Sequence, residues 1–500
     1  MKFPLYGTLV CAYHKRGSFF HRTGFTKSIF MTKNLFFLSL LLLACPGFSQ
    51  TNWQYTDPVK QRVVVLTDIM NEPDDQQSLV RYLVYANEFD TEGLVATTST
   101  HLRDKVRQDK IEELLSAYGK VRNNLEKHAQ GFPSEKELRA VTTSHLPLYG
   151  MQGVGAGKDS GGSELLIRAA DKKDERPLWV SVWGGVNCLA QALWKVRETR
   201  TPEQVKAFVS RLRVYTISDQ DDAGRWIRLN FPDIFYVVSP STERWEEYYR
   251  ATWTGISGDR HYKNGPMYKF ELVDNPWLEQ HVIKNHGPLG ELYPRLEYIM
   301  EGDTHSFIGL INNGLSSALS PAYGGWGGRY DFFQSYAEVA KIWTNTLHSV
   351  DEVELPDGRK VASDQATIWR WQEAYQHDFA ARMDWCVARS FKEANHNPVV
   401  VLNGNKGKAV AAATAPAGQT VRLSAKGTTD PDGHALTYRW FVYKEAGRFT
   451  GNVELRNPGA EEISFVMPKM GNNQELHLIC EVKDNGSPAL YSYRRVILRH

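Results

Sequence analysis

The 500-residue sequence carries no surplus of one charge: 59 Lys and Arg stand against 57 Asp and Glu, a formal net charge of +2. A chain built to grip nucleic-acid phosphates shows a basic excess, so a nucleic-acid polymer is excluded as partner. An acidic disordered chain is excluded too, because 42% of residues are hydrophobic and the charges are mixed along the sequence. Cysteine is scarce, five in all, and after residue 50 only Cys188, Cys386 and Cys480 remain. Three widely spaced cysteines supply neither a disulfide framework nor a cysteine metal site. Past residue 50 no run is apolar enough for a transmembrane helix. Internal repeats and low-complexity tracts are also missing. The length suits two or three domains. Aromatics, by contrast, are plentiful, with 14 Trp and 23 Tyr. They fit a large core, and flat rings also suit a carbohydrate-facing surface.

Residues 1–50 read as something other than fold: 1–30 as a mis-called upstream start, and the stretch from Met31 as a leader. Met31-Thr32-Lys33-Asn34 precedes the short apolar run Leu35 to Ala44, the pattern of a secretory signal starting at Met31. Gly47 and Ser49 suit cleavage before Gln50, whereas Leu42-Leu43-Ala44-Cys45 suits lipidation of Cys45. The expectation is an exported protein, secreted, periplasmic or surface-held.

Residues 53–395 alternate strand and helix patterns. Arg62 to Thr67, Gly93 to Thr97, Leu178 to Trp183, Val214 to Ile217 and Ile234 to Val238 are short apolar runs. Ser78 to Phe89, Val106 to Tyr118 and Cys188 to Val196 have apolar residues at three- and four-residue spacing. This alternation predicts a doubly wound α/β domain with a mostly parallel sheet, whose ligands sit at the carboxyl ends of strands. Residues 396–500 switch to period-two strands with turn signals such as Asp430-Pro431-Asp432-Gly433, predicting an all-β immunoglobulin-like sandwich with Trp440 in its core. The Asp430 turn could bind calcium, and a type I turn explains it equally well.

Asp68, Asp74 and Asp75 crowd the carboxyl end of the first long strand. Capping a helix needs one such acid, not three. Crowded carboxylates call for a cation, and hard oxygen ligands select Ca²⁺ or Mg²⁺. This cluster resembles the amino-terminal aspartates of nucleoside hydrolases. Trp183 to Leu193 is similar to their Gly-rich turn and helix, and Glu301 to Phe307 to their distal aspartate segment. The resemblance implies a calcium held by Asp68, Asp75, Asp303 and the Asn187 carbonyl, with Asp68 as general base and Asp74 on sugar hydroxyls. Where many of those enzymes place a His before the last aspartate, this chain has Gly302. Taken whole, the chain is similar to secreted bacterial proteins that join a nucleoside-hydrolase-like domain to an Ig-like one, some labelled cellulose-binding.

A glycosidic bond breaks through an oxocarbenium-like transition state, so its leaving group needs an acid. His305, His101 and Glu301 are the candidates. Asp219 and Asp221, also after a strand, could hold sugar hydroxyls or simply form a turn. In Gly324-Gly325-Trp326-Gly327-Gly328-Arg329-Tyr330, Trp326 is expected to stack on a sugar, with Arg329 hydrogen-bonding it. Trp369, Trp371 and Trp385 read as core. Two functions follow: a calcium-dependent glycoside hydrolase acting on a carbohydrate or ribosyl-like glycoside, or a non-catalytic polysaccharide-binding protein of the same fold. A homodimer is a further expectation.

Overall fold

The computed structural model describes residues 51–70, 72–239, 256, 268–335 and 338–500. The leader and Cys45 lie outside the described residues. Strand β1 (Gln54–Thr56) is followed by β2 (Gln61–Thr67), β3 (Phe89–Ala96), β4 (Thr142–Ser144), β5 (Leu178–Val182), β6 (Leu212–Thr216), β7 (Phe235–Val237), β8 (Asp331–Phe333) and β9 (Ile342–Thr344). All but β1 join one eight-stranded sheet, in the order β4-β3-β2-β5-β6-β7-β9-β8. Every pair is parallel except β8 with β9, so the sheet is mostly parallel with an antiparallel edge.

All seven residues of β2 are buried, as expected of a central strand covered on both faces. Its alternation divides the core in two. Val63 and Val65 face one apolar cluster with Leu79, Leu83, Ile111 and Leu115, while Val64 and Leu66 face the other with Leu166, Leu189, Leu193 and Ile227. The first cluster is covered by α1 (Pro73–Val84) and α2 (Gln108–His128). After the short α3 (Glu135–Ala140), the other face takes α4 (Gly161–Asp171), α5 (Asn187–Thr199), α6 (Pro202–Ser210) and α7 (Ala223–Asn230). From β2 the chain winds outward through β3 to β4; from β5 it winds the other way. The reversal lies between β2 and β5, where the chain ends diverge and leave a crevice.

The remaining strands are β10 (Asp351–Glu354) with β11 (Lys360–Ser363), β12 (Val401–Leu402) with β13 (Asn405–Lys406), β14 (Val410–Thr414), β15 (Thr420–Ser424), β16 (Leu436–Val442), β17 (Glu462–Val466), β18 (Leu476–Asp484) and β19 (Tyr491–Arg499). A five-stranded sheet, β1-β14-β19-β18-β16, and the pair β15-β17 share one core around Val421, Trp440, Phe465 and Val496. Strand β1 pairs with β14, Gln54 opposite Ala412. The chain therefore enters through the carboxyl-terminal sheet before it builds the α/β sheet, which sequence patterning did not show. Residues 51–500 form one compact unit. Among the described residues no helix is long and apolar enough to cross a membrane.

The Gly-rich segment is part of the seam joining the two regions, a correction to the expectation that Trp326 stacks on a sugar and Arg329 hydrogen-bonds it. Trp326 is 1% exposed and sits edge-on to Tyr375. A Cβ at Gly327 would stand 2.7 Å from the His305 carbonyl oxygen, so only glycine lets these backbones touch. Arg329 donates to Asp351 Oδ1 (2.8 Å) and to the Val350 carbonyl (2.6 Å). Asp351 also accepts from Arg370 (2.8 Å) and from the Tyr443 hydroxyl of the carboxyl-terminal region (2.6 Å). Burial alone would push the Asp351 carboxyl up, but Arg370 and Arg329 outweigh it and hold it below its ordinary value. Trp326 and Arg329 thus serve packing and charge pairing inside the protein.

Candidate functional site

Asp68 follows β2 directly, one residue past the strand end, at the topological reversal. Pro73 opens α1, and Asp74 and Asp75 occupy its first turn, where the amino-terminal dipole favours negative charge. Asp303 arrives from a distant loop and is tied to α1 through Ser78, whose hydroxyl donates to its Oδ2 at 3.2 Å. Ligand oxygens of Asp74, Asp75 and Asp303 all lie within 4.8 Å of one another. Asp68 joins them electrostatically: its charge raises all three. A Cβ at Gly184, in the turn after β5, would fall 2.3 Å from Asp68 Oδ1, so that glycine keeps the cradle open.

Asp68, Asp75 and Asp303 are at most 3% exposed, while Asp74 is half-buried. Burial first, then the neighbouring carboxylates, pushes Asp75 and Asp303 well above the ordinary carboxylate range. The same causes take Asp74 up to about 8, with Glu72 and Asp68 as the charges beside it. Asp68 is also raised, mainly by burial. Among the described residues no Lys or Arg pairs with any of the four. Asp68 Oδ1 and Asp74 Oδ1 are buried without a hydrogen-bond partner. Thr67 donates its hydroxyl to Asp75 Oδ1, fixing that side chain from the strand. Bare buried carboxylate oxygens, crowded and with no Lys or Arg beside them among the described residues, form a donor set that fits a hard divalent cation.

Asn187 is placed differently from its expected role. As the first residue of α5, its carbonyl is directed into the helical ladder, and its N–H donates to Asp221 Oδ2 (3.0 Å). Its side-chain amide donates to the Leu148 carbonyl (2.7 Å), leaving Oδ1 buried and without a partner. The free acceptor here is therefore the amide oxygen rather than the backbone.

Four other sequence candidates are corrected. Glu301 is fully buried against Arg81, and it accepts from Tyr293 (2.8 Å) and Thr304 (2.7 Å). It braces the loop that carries Asp303 and touches no solvent. His305 is 1% exposed, edge-on to Tyr215, and burial lowers its imidazole to about 3, which favours the neutral ring, a poor general acid, at neutral pH. Asp219 is clamped by Arg228 (2.8 and 2.7 Å). Asp221 spends both oxygens on backbone, Asn187 N–H and Ala223 N–H at 3.0 Å each. These side chains answer to capping and ion pairing.

The structure also brings in residues outside the sequence motif. Ser99, after β3, helps hold Asp68 and accepts from the His101 N–H (2.9 Å). His101 is 17% exposed in its side chain, stands 4.0 Å from Glu72, and is close enough to lower Asp68. Met70, between Asp68 and α1, has φ +80° and an exposed side chain. For a bulky residue that conformation is strained, and such strain gathers at functional sites.

A family model described as cellulose-binding Sde182, nucleoside hydrolase-like domain, matches residues 62–330. The chain belongs to this family. A second model, cellulose-binding protein Sde0182, C-terminal domain, matches residues 420–500 of this Sde182-like chain. A solved structure, a nucleoside hydrolase-related hypothetical protein from Saccharophagus degradans associated with carbohydrate metabolism, is 37% identical. It covers 88% of this chain and 100% of its own, with a TM-score of 0.75. The structure of the effector protein XOO4466 aligns at 8% identity over 66% of this chain, with a TM-score of 0.31 too loose to bear on the fold. Among curated proteins none matches.

Proposed function

We propose that this protein is an exported, calcium-dependent glycoside hydrolase of the nucleoside-hydrolase type, acting on a carbohydrate or ribosyl-like glycoside. The observation that carries the reading is the convergence of Asp68, Asp74, Asp75 and Asp303 at the sheet's reversal, with no Lys or Arg paired to them among the described residues. Asp68, Asp75 and Asp303 would hold the ion, with Asn187 Oδ1 as a further oxygen donor. Bound there, calcium supplies positive charge that orients a water and favours its deprotonation. Asp68, with its bare Oδ1, takes the proton of the attacking water. Asp74, half-buried, accepts hydrogen bonds from the sugar hydroxyls. His101, partly exposed and backed by Glu72, is the group best placed to protonate the leaving group.

The carboxyl-terminal region is proposed to be an immunoglobulin-like sandwich that braces the α/β sheet. Export through a leader at 31–50 and pairing into a homodimer belong to the same proposal. A second reading, a non-catalytic polysaccharide-binding protein that keeps the fold, is favoured by the cellulose-binding description attached to both halves of the family. Turnover separates the two. A panel of nitrophenyl furanosides and pyranosides, assayed with calcium, should be hydrolysed by the wild type and at least 100-fold more slowly by Asp68→Asn. Retention on insoluble cellulose with no hydrolysis across the panel would instead select the binding protein.

A further inference from the structure

A second cluster of ligating side chains lies far from that site, where the carboxyl-terminal region meets the end of the α/β region. Asp430 and His434, between β15 and β16, and Asp484, ending β18, each offer one ligand atom. These three atoms lie within 4.8 Å of one another. The Asp430 side chain is 1% exposed, yet its Oδ2 has no hydrogen-bond partner among the described residues. Its other oxygen is occupied, accepting the N–H groups of Asp432 and His434 at 2.9 Å each. A turn accounts for Oδ1; it leaves Oδ2 bare and buried beside a second carboxylate, an arrangement that is costly without a countercharge.

Asp484 is 3% exposed and anchored from outside the cluster. Its Oδ1 accepts from the N–H groups of Gly486 (2.8 Å) and Leu490 (2.9 Å), and Asn395 donates to both of its oxygens (3.2 and 3.1 Å). His434 Nδ1 stands 3.5 Å from Asp430 Oδ1, and its side chain is 35% exposed, which leaves one side of the cluster to water.

We propose that Asp430, His434 and Asp484 form a second metal site that takes a divalent transition ion of the Zn²⁺ class, with water completing the shell. One imidazole nitrogen and two carboxylates are a zinc-type set, whereas Ca²⁺ takes shells of oxygen alone. The bonds that orient the two carboxylates come from backbone N–H groups and from Asn395, as outer partners do in metal sites. Asn395 closes the α/β region and also donates to the Pro488 carbonyl (2.8 Å), so the ion would brace the seam between the two regions.

The test is titration calorimetry of the chelator-stripped protein with Zn²⁺ alone, on the wild type, Asp430→Asn, His434→Gln and Asp75→Asn. Asparagine at 430 keeps the oxygen that holds the two N–H groups, so the fold is retained. The wild type should take up an equivalent of Zn²⁺ that persists in Asp75→Asn, weakens at least tenfold in His434→Gln and disappears in Asp430→Asn. Because Asp75→Asn disables the strand-edge site alone, failure of the calcium reading leaves this result untouched. The proposal is overturned if the wild type takes up no Zn²⁺, or if wild type and Asp430→Asn give superimposable isotherms. Should Asp430→Asn fold poorly, an unweakened His434→Gln overturns it by itself.

Discussion

Replacing Asp75 by Asn should change sign with calcium. In chelated protein the substitution removes one charge from a cluster whose ligand atoms lie within 4.8 Å. Two unit charges at that distance repel by about 3 kcal/mol at an effective dielectric near 20. Proton uptake by the crowded carboxylates already relieves part of this, so the expected gain in stability is about 1–3 kcal/mol. Asparagine keeps an oxygen for the Thr67 hydroxyl, so packing is preserved. With calcium at a hundredfold over its Kd, the wild type gains about 2.7 kcal/mol and the variant none. For the unit formed by residues 51–500, the unfolding entropy is about 0.9 kcal/mol per kelvin, which makes the calcium shift about 3 °C. Differential scanning calorimetry with chelator and then with calcium reads both effects. An equal calcium shift in wild type and variant, or a variant less stable than wild type in chelator, refutes the reasoning.

Glu301→Gln should cost about 3–5 kcal/mol in urea unfolding, because it strands the fully buried Arg81 guanidinium without its countercharge. Trp326→Ala should cost a similar amount, about 3–5 kcal/mol, by opening a cavity in the seam; cellulose pull-down of the folded variant should match wild type, since the ring faces protein. Acid should weaken the fold below pH 6.5. Burial lowers both His477 and His145 to about 4, so each stays neutral in the folded state and charges on unfolding. Their contribution is complete above the unfolded value near 6.5 and is lost as pH falls toward 4, up to about 3 kcal/mol for each. Urea midpoints of wild type and His477→Gln at pH 7 and 4.5 check this: the variant should lose less, and an unchanged difference counts against the assignment.

Much of the α/β sheet is legible in the chain because a central parallel strand must be apolar throughout, and Arg62 to Thr67 and Leu178 to Trp183 have no other stable place. The aspartates after β2 announce themselves for a related reason. Three acids within eight residues at a strand end exceed what capping requires. Chemistry and spacing are local, so they survive without the fold. Asp303 is different: nothing near it in sequence marks it, and only its family likeness singled it out before Ser78 was seen to hold it.

Solvent exposure was the property that sequence could not supply. Trp326 among four glycines looks unshielded along the chain, yet Gly327 lets the backbone press against His305 and Gly309, and the ring is 1% exposed. Glu301 and His305 have catalytic chemistry but are sealed inside, one by Arg81 and one by Tyr215. His101 and Glu72 come together, both partly exposed, although 29 positions separate them. Strand and helix alternation, the turn to a strand-rich pattern in the carboxyl-terminal region and the first acidic cluster were legible in the sequence, because each is written in neighbouring residues. Only the tertiary structure decided which polar groups face one another and which reach water, since those depend on long-range packing that no local pattern encodes.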